Sequence, residues 1–175
     1  ANSYYYFTLK DSVVIDGKAC YQIRVDPKNP IDLVFSGTIW IETNSYALKQ
    51  VNLEITDKAN INFIEKLKIQ QEFTEVEPTY WLPKKTRVLI DIAELTDNTL
   101  GMIGLYYNSA KNISVNNVHE LPFYEEKVAV ADSSFERSDK YWDTTRHERI
   151  SANDKKVYLM VDSLKNQPLI KSYID

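Results

Sequence analysis

A chain of 175 residues has room for one domain, or for one domain with an appendage. Its net charge of −4 and pI of about 5.3 exclude the clustered basic face that nucleic-acid binding requires. The single cysteine, Cys20, excludes an internal disulfide. No apolar run approaches the roughly 18 residues of a membrane-crossing helix.

The composition favours strands. Aromatic residues make up 12% of the chain and twelve of them are Tyr. Tyr, Val, Ile and Thr suit half-buried pleated surfaces. Only four Gly occur, so most tight turns fall to Asn and Asp.

Residues 4–9 are aromatic and β-prone, and Asp16-Gly17 is a two-residue hairpin signal. Residues 19–25 alternate, with Ala19, Tyr21, Ile23 and Val25 on one face and Cys20, Gln22 and Arg24 on the other. Together they predict an opening hairpin. Pro27 and Pro30 break the chain. Residues 33–42 form a third strand, with Leu33, Phe35, Gly37, Ile39 and Ile41 on one face. Val34, Ser36, Thr38 and Trp40 take the other. Gly37 inside the strand predicts a bend or a close backbone approach. Residues 46–56 return as a fourth strand, and a turn is expected over residues 57–60. Residues 63–76 contain good helix formers, but the period of two from 66 to 74 decides for strand. After the break at Pro78, Tyr80-Trp81-Leu82-Pro83 leads into a strand over residues 86–95. Residues 100–107 are apolar on both faces, which predicts a strand covered on both sides. A short strand is expected over residues 113–118.

Beyond Pro122 the pattern changes. A short helix is expected from Ser138. Ser151-Ala152-Asn153-Asp154 resembles a capping box. Behind it, Val157, Met160, Val161 and Leu164 follow helical spacing. The predicted fold is mainly β: a curved antiparallel sheet or open half-barrel of about eight to nine strands, with a C-terminal helical segment. The sheet domain spans residues 1–132. Residues 133–175 form a helical tail that packs on it and leads toward a barrel outside this chain. Ala1 opens directly into strand-like sequence, as an excised segment would.

The chemistry-bearing residues do not form a motif. Cys20 sits in an alternating strand with no His or Asp pattern beside it. His119 lacks the second His that would complete a zinc helix, and His147 has no partner at ligand spacing. Asp57, Asn60 and Asn62 offer oxygens without the acids and glycine of a calcium loop. No catalytic residue, cofactor site or metal site is expected. The aromatic set is the candidate binding surface: Trp40, Tyr80, Trp81 and Tyr106 are the residues expected to line a ligand groove.

Four segments carry a resemblance. They are Asp32-Leu-Val-Phe-Ser-Gly-Thr-Ile-Trp-Ile-Glu42, Tyr46-Ala-Leu-Lys-Gln-Val51, Asn60-Ile-Asn-Phe63 and Tyr80-Trp-Leu-Pro83. With Tyr141-Trp142, Arg146-His-Glu148 and Asp162-Ser-Leu-Lys-Asn166, they resemble a family of uncharacterised Bacteroidetes outer-membrane proteins. In that family a carboxypeptidase-regulatory-like β-sandwich precedes a central periplasmic region and a C-terminal membrane β-barrel. The strand order is also similar to lipoprotein-carrier half-barrels of the LolA and LolB kind, which hold acyl chains on a concave apolar surface. The resemblance implies a non-catalytic periplasmic binding or scaffolding domain at the outer membrane, in contact with lipid, lipoprotein or a partner chain. A structural spacer before the barrel is the alternative.

Overall fold

The computed structural model describes residues 3–61, 63–93, 101–125, 137–146, 148, 150–156 and 159. The chain divides into two compact units, Ala1–Val118 and His119–Asp175. The division expected between residues 132 and 133 lies outside the described residues.

The first unit is one antiparallel sheet of seven strands in sequence order. The strands are β1 (Tyr5–Ile15), β2 (Lys18–Pro27), β3 (Ser36–Glu42), β4 (Leu48–Ile61), β5 (Ile64–Glu77), β6 (Tyr80–Ile92) and β7 (Met102–Ser109). Each pairs with its chain neighbour, the sheet is not closed, and among the described residues β1 and β7 are its edges. The mainly β, open antiparallel expectation holds. Local turn chemistry explains the meander. Asp16 and Gly17 both take positive φ, at 49° and 75°. That backbone matches the twist of the flanking strands in a two-residue hairpin.

Several elements differ from the sequence reading. Residues 57–60 continue β4 as strand, and the reversal comes at the next residues, where Phe63 has a φ of 65°. Residues 113–118 are not a strand. Asn112 and Asn116 take left-handed φ values of 55° and 57°, which breaks any extended run between them. β7 is not covered on both sides: most of its residues are exposed, because it stands at the sheet edge.

Bulges interrupt the ladders at defined places. Lys10 is the extra residue in β1, Lys49 in β4 and Lys84 in β6. The last of these adjoins Pro83, which has no N–H to give to the ladder.

The second unit contains α1 (Leu121–Glu125) and α2 (Asp139–Thr145). α1 has no counterpart in the sequence reading. α2 starts where the hydroxyl predicted it: Ser138 Oγ accepts from Tyr141 N at 3.3 Å. Residues 152–156 are also helical, and Asp154 N donates to Ser151 Oγ at 3.1 Å. The apolar stripe Val157, Met160, Val161 and Leu164 lies outside the described residues.

Candidate functional site

Opposed residues of antiparallel strands point to the same face, so the pairing register defines two surfaces. One row runs from edge to edge through Phe7, Val25, Gly37, Leu53, Ile69, Val88 and Tyr106. A parallel row carries Leu9, Ile23, Ile39 and Val51 before turning polar at Gln71, Thr86 and Asn108. Gln71 Nε2 donates to Thr86 Oγ1 at 3.0 Å, so this polar end is hydrogen-bonded. A third row joins Ile55, Leu67 and Ile90. These rows make one apolar face.

The other face is polar. Its rows read Thr8, Arg24, Thr38, Asn52, Gln70, Arg87 and Tyr107, and Gln22, Trp40, Gln50, Glu72, Lys85 and Ser109. Arg87 lies over the Tyr107 ring, 5.3 Å from its centroid.

The apolar face is poorly sealed. Of its row residues Val25, Gly37, Val51 and Ile55 are buried. Ile23, Ile39, Leu53, Ile69, Val88 and Ile90 are half-buried, and Phe7, Leu9 and Tyr106 are exposed at the two edges. A second sheet would normally complete such a core, but all seven strands belong to one sheet.

The polar chemistry gathers at the end of the sheet that carries the β1–β2, β3–β4 and β5–β6 turns. Lys49 is buried, and its Nζ donates to Asp16 Oδ2 at 2.9 Å and to the Phe73 carbonyl at 3.1 Å. Lys18 on β2 pairs with Glu75 on β5. The Lys18 and Lys49 ammonium groups lie over the Trp81 ring, 5.4 and 5.9 Å from its centroid. The Trp81 Nε1–H is buried without a partner among the described residues. Hydrogen bonding and the Lys49 charge hold the Asp16 carboxyl below its ordinary range. Burial pushes the Cys20 thiol up, which makes it a poor nucleophile.

Glu42 closes the β3–β4 turn. Its carboxylate accepts from Asn44 N at 3.1 Å, Ser45 N at 2.7 Å and Ser45 Oγ at 2.6 Å. These hydrogen bonds to the charged form hold its carboxyl down at about 2. The interlocked side chains tie the hairpins together.

The four aromatic candidates do not converge. Trp40 is half-buried on the polar face, whereas Tyr106 is exposed on the apolar face at the far edge. Tyr80 is exposed at the start of β6, and Trp81 is held between the two lysines. His119 stacks on Phe123 in the second unit, with ring centroids 4.2 Å apart. His147 and Asn62 lie outside the described residues, as do the side chains of Asp57 and Asn60. Among the described residues no three metal-ligating side chains come together, and no helix is long and apolar enough to cross a membrane. The sequence reading missed Asp16, Glu42, Lys49 and Glu75. Glu42 bonds locally within its own turn, whereas the meeting of Asp16 with Lys49 and of Glu75 with Lys18 depends on the register shift at Lys49 and on pairing between distant strands, which no local pattern encodes.

A family of unknown function, DUF5686, matches residues 1–112. The chain belongs to the DUF5686 family. The match takes in all seven strands of the sheet and stops before α1. The DUF5686 segment is therefore the sheet with both of its faces, and the ion-paired turn end lies within it. No curated protein matches the chain, and no solved structure does.

Proposed function

We propose that this chain is a non-catalytic periplasmic domain of an outer-membrane protein, and that its apolar sheet face binds acyl chains of lipid or lipoprotein. The observation that carries the reading is the row from Phe7 to Tyr106. It puts an apolar residue or glycine on every strand of the sheet, and among the described residues no second sheet lies over it. Exposed apolar surface of this extent marks an interaction site in a folded protein. The polar opposite face and the ion-paired turns give the sheet a solvated back and a rigid end. The reading assigns no catalytic residue and no cofactor. The resemblance to outer-membrane proteins and to lipoprotein carriers agrees with the periplasmic side of the outer membrane, and no nucleic acid is expected as a partner.

The test is native mass spectrometry of the gently purified protein, together with titration of a fluorescent fatty acid. Co-purifying lipid and saturable probe binding are expected. Val88→Glu should abolish binding, and Thr38→Glu on the polar face should leave it. Absence of both lipid and probe binding overturns the proposal and leaves a structural spacer as the better description.

A further inference from the structure

We infer that the acyl-binding face is polarised along its strands. The oxygen-bearing head group of a fatty acyl ligand lies at the end with the β1–β2 and β5–β6 turns, against Trp81 and Lys18, and the hydrocarbon tail runs toward the β4–β5 turn. The inference rests on the acyl-chain reading and adds the direction in which the chain lies. The composition of the face changes along the strands. Nearest the β4–β5 turn, Ile64, Ile92 and Met102 oppose one another, and the next row joins Ile55, Leu67 and Ile90. Two rows further on, β5, β6 and β7 present Gln71, Thr86 and Asn108.

Beyond that row the same face carries charge. Phe73 and Glu75 continue the alternation of Ile69 and Gln71 along β5, and Trp81 opposes Glu75. Trp81 and Glu75 therefore stand on the apolar face, at its turn end. Lys18 reaches both from β2, pairing with Glu75 and lying over the Trp81 ring. In a flat sheet β2 and β6 would stand about 19 Å apart, at ~4.8 Å per strand. The β1–β2 end must curl over this face to make these contacts, so it walls the face at that end.

The wall has hydrogen-bond donors to spare. The Trp81 Nε1–H is buried and has no partner among the described residues. A buried donor left unpaired is costly, and an acceptor that reaches it removes that cost. The Lys18 ammonium has three N–H donors and gives one of them to Glu75. Its side chain is 39% exposed, so it is the part of the cluster with room to move aside for a head group. Lys49 is buried and already gives two hydrogen bonds. A carboxylate or ester oxygen accepts from Trp81 Nε1–H and from Lys18 Nζ–H. At the opposite end the rows of Ile, Leu and Met offer no donor, and a head group buried there would lose its hydrogen bonds to water without replacement.

Photo-crosslinking of the full wild-type chain reads the direction. One fatty acid carries a diazirine beside its carboxylate, and a second carries it near the methyl end. Peptide mapping should place the first adduct on peptides containing Lys18, Phe73 or Trp81, and the second on peptides containing Ile55, Leu67 or Ile90. Trp81→Phe keeps an aromatic ring and deletes the donor. It should weaken fatty-acid binding about tenfold, the worth of one hydrogen bond to a charged group, and leave a headless hydrocarbon dye bound as before. The crosslinking needs no variant, so it decides even where Trp81→Phe fails to fold. Adducts at reversed ends, the same adducts from both probes, or unchanged fatty-acid binding by a folded Trp81→Phe would overturn the direction and leave acyl binding standing. A wild-type chain that binds neither fatty acid nor dye would overturn the acyl-chain reading and this inference with it.

Discussion

Gly37 has no room for a side chain. A Cβ there would lie 2.1 Å from the Asn52 carbonyl oxygen and 2.9 Å from the Leu53 Cα, and its φ is +147°. Both neighbouring groups are backbone of β4, so neither can swing aside. Gly37→Ala should cost about 3 kcal/mol or more, through strain and separation of β3 from β4. Urea denaturation would read this as a lowered midpoint. Glu42 gives a pH signature. Its carboxyl titrates at about 2 in the folded chain and near 4.5 ordinarily. A depressed folded value stabilises the fold above 4.5, and that contribution drains away as pH falls toward 2. Asp16, also held low, acts in the same direction. Wild-type stability should therefore fall on acidification more steeply than that of Glu42→Gln, measured as thermal midpoint against pH. Trp40→Ala should cost less than the roughly 3–5 kcal/mol of a sealed Trp site, because Trp40 is half-buried on a polar row between Gln22 and Gln50.

At the scale of elements, the turn end of the sheet is held by partnerships of unequal worth. The Asp16 side chain is 76% exposed and that of Lys49 is 8% exposed. Solvent screens the acid, so Asp16→Asn should cost under about 1 kcal/mol. Lys49 has its stem and ammonium enclosed by Asp16, the Phe73 carbonyl and Trp81. Lys49→Met keeps most of the packing and removes a buried charge, whereas Lys49→Ala leaves a void. Chemical denaturation should therefore rank Lys49→Met above Lys49→Ala in stability. Strand length also belongs to this scale. β4, β5 and β6 are the longest strands, and the β5–β6 pairing runs on past the bulge at Lys84 through Thr74 and Pro83, which taken singly read as a polar interruption and a break.

At the scale of the whole molecule, a single sheet whose apolar face is the proposed binding surface has two consequences. Fluorescence of a hydrophobic dye should rise on binding the native protein, without the loss of near-UV circular dichroism that marks a molten globule. Dye binding only after partial denaturation would mean that the face is covered. Among the described residues, every strand pairing lies within residues 1–118. A fragment ending at Val118 should therefore keep its far-UV strand signal and unfold cooperatively.

The sequence by itself determined most of the strands and, within each unbroken run, which way the side chains point. A period of two is a property of a single strand and survives any tertiary context, so Trp40 and Ile39 were assigned to opposite faces from alternation alone. Asp16-Gly17, Gly37 and Ser138 were legible for the same reason, since each answers a local backbone requirement. Only the tertiary structure decided which strands are edges, where the bulges fall and which polar groups meet. The left-handed Asn112 and Asn116 ended a strand that alternation alone would continue. The extra residue at Lys49 moved that ammonium toward Asp16 and Trp81. β7 read as a strand covered on both sides because its apolar residues are continuous, yet it is an edge. Coverage depends on what packs against a strand, and the strand's own sequence does not record it.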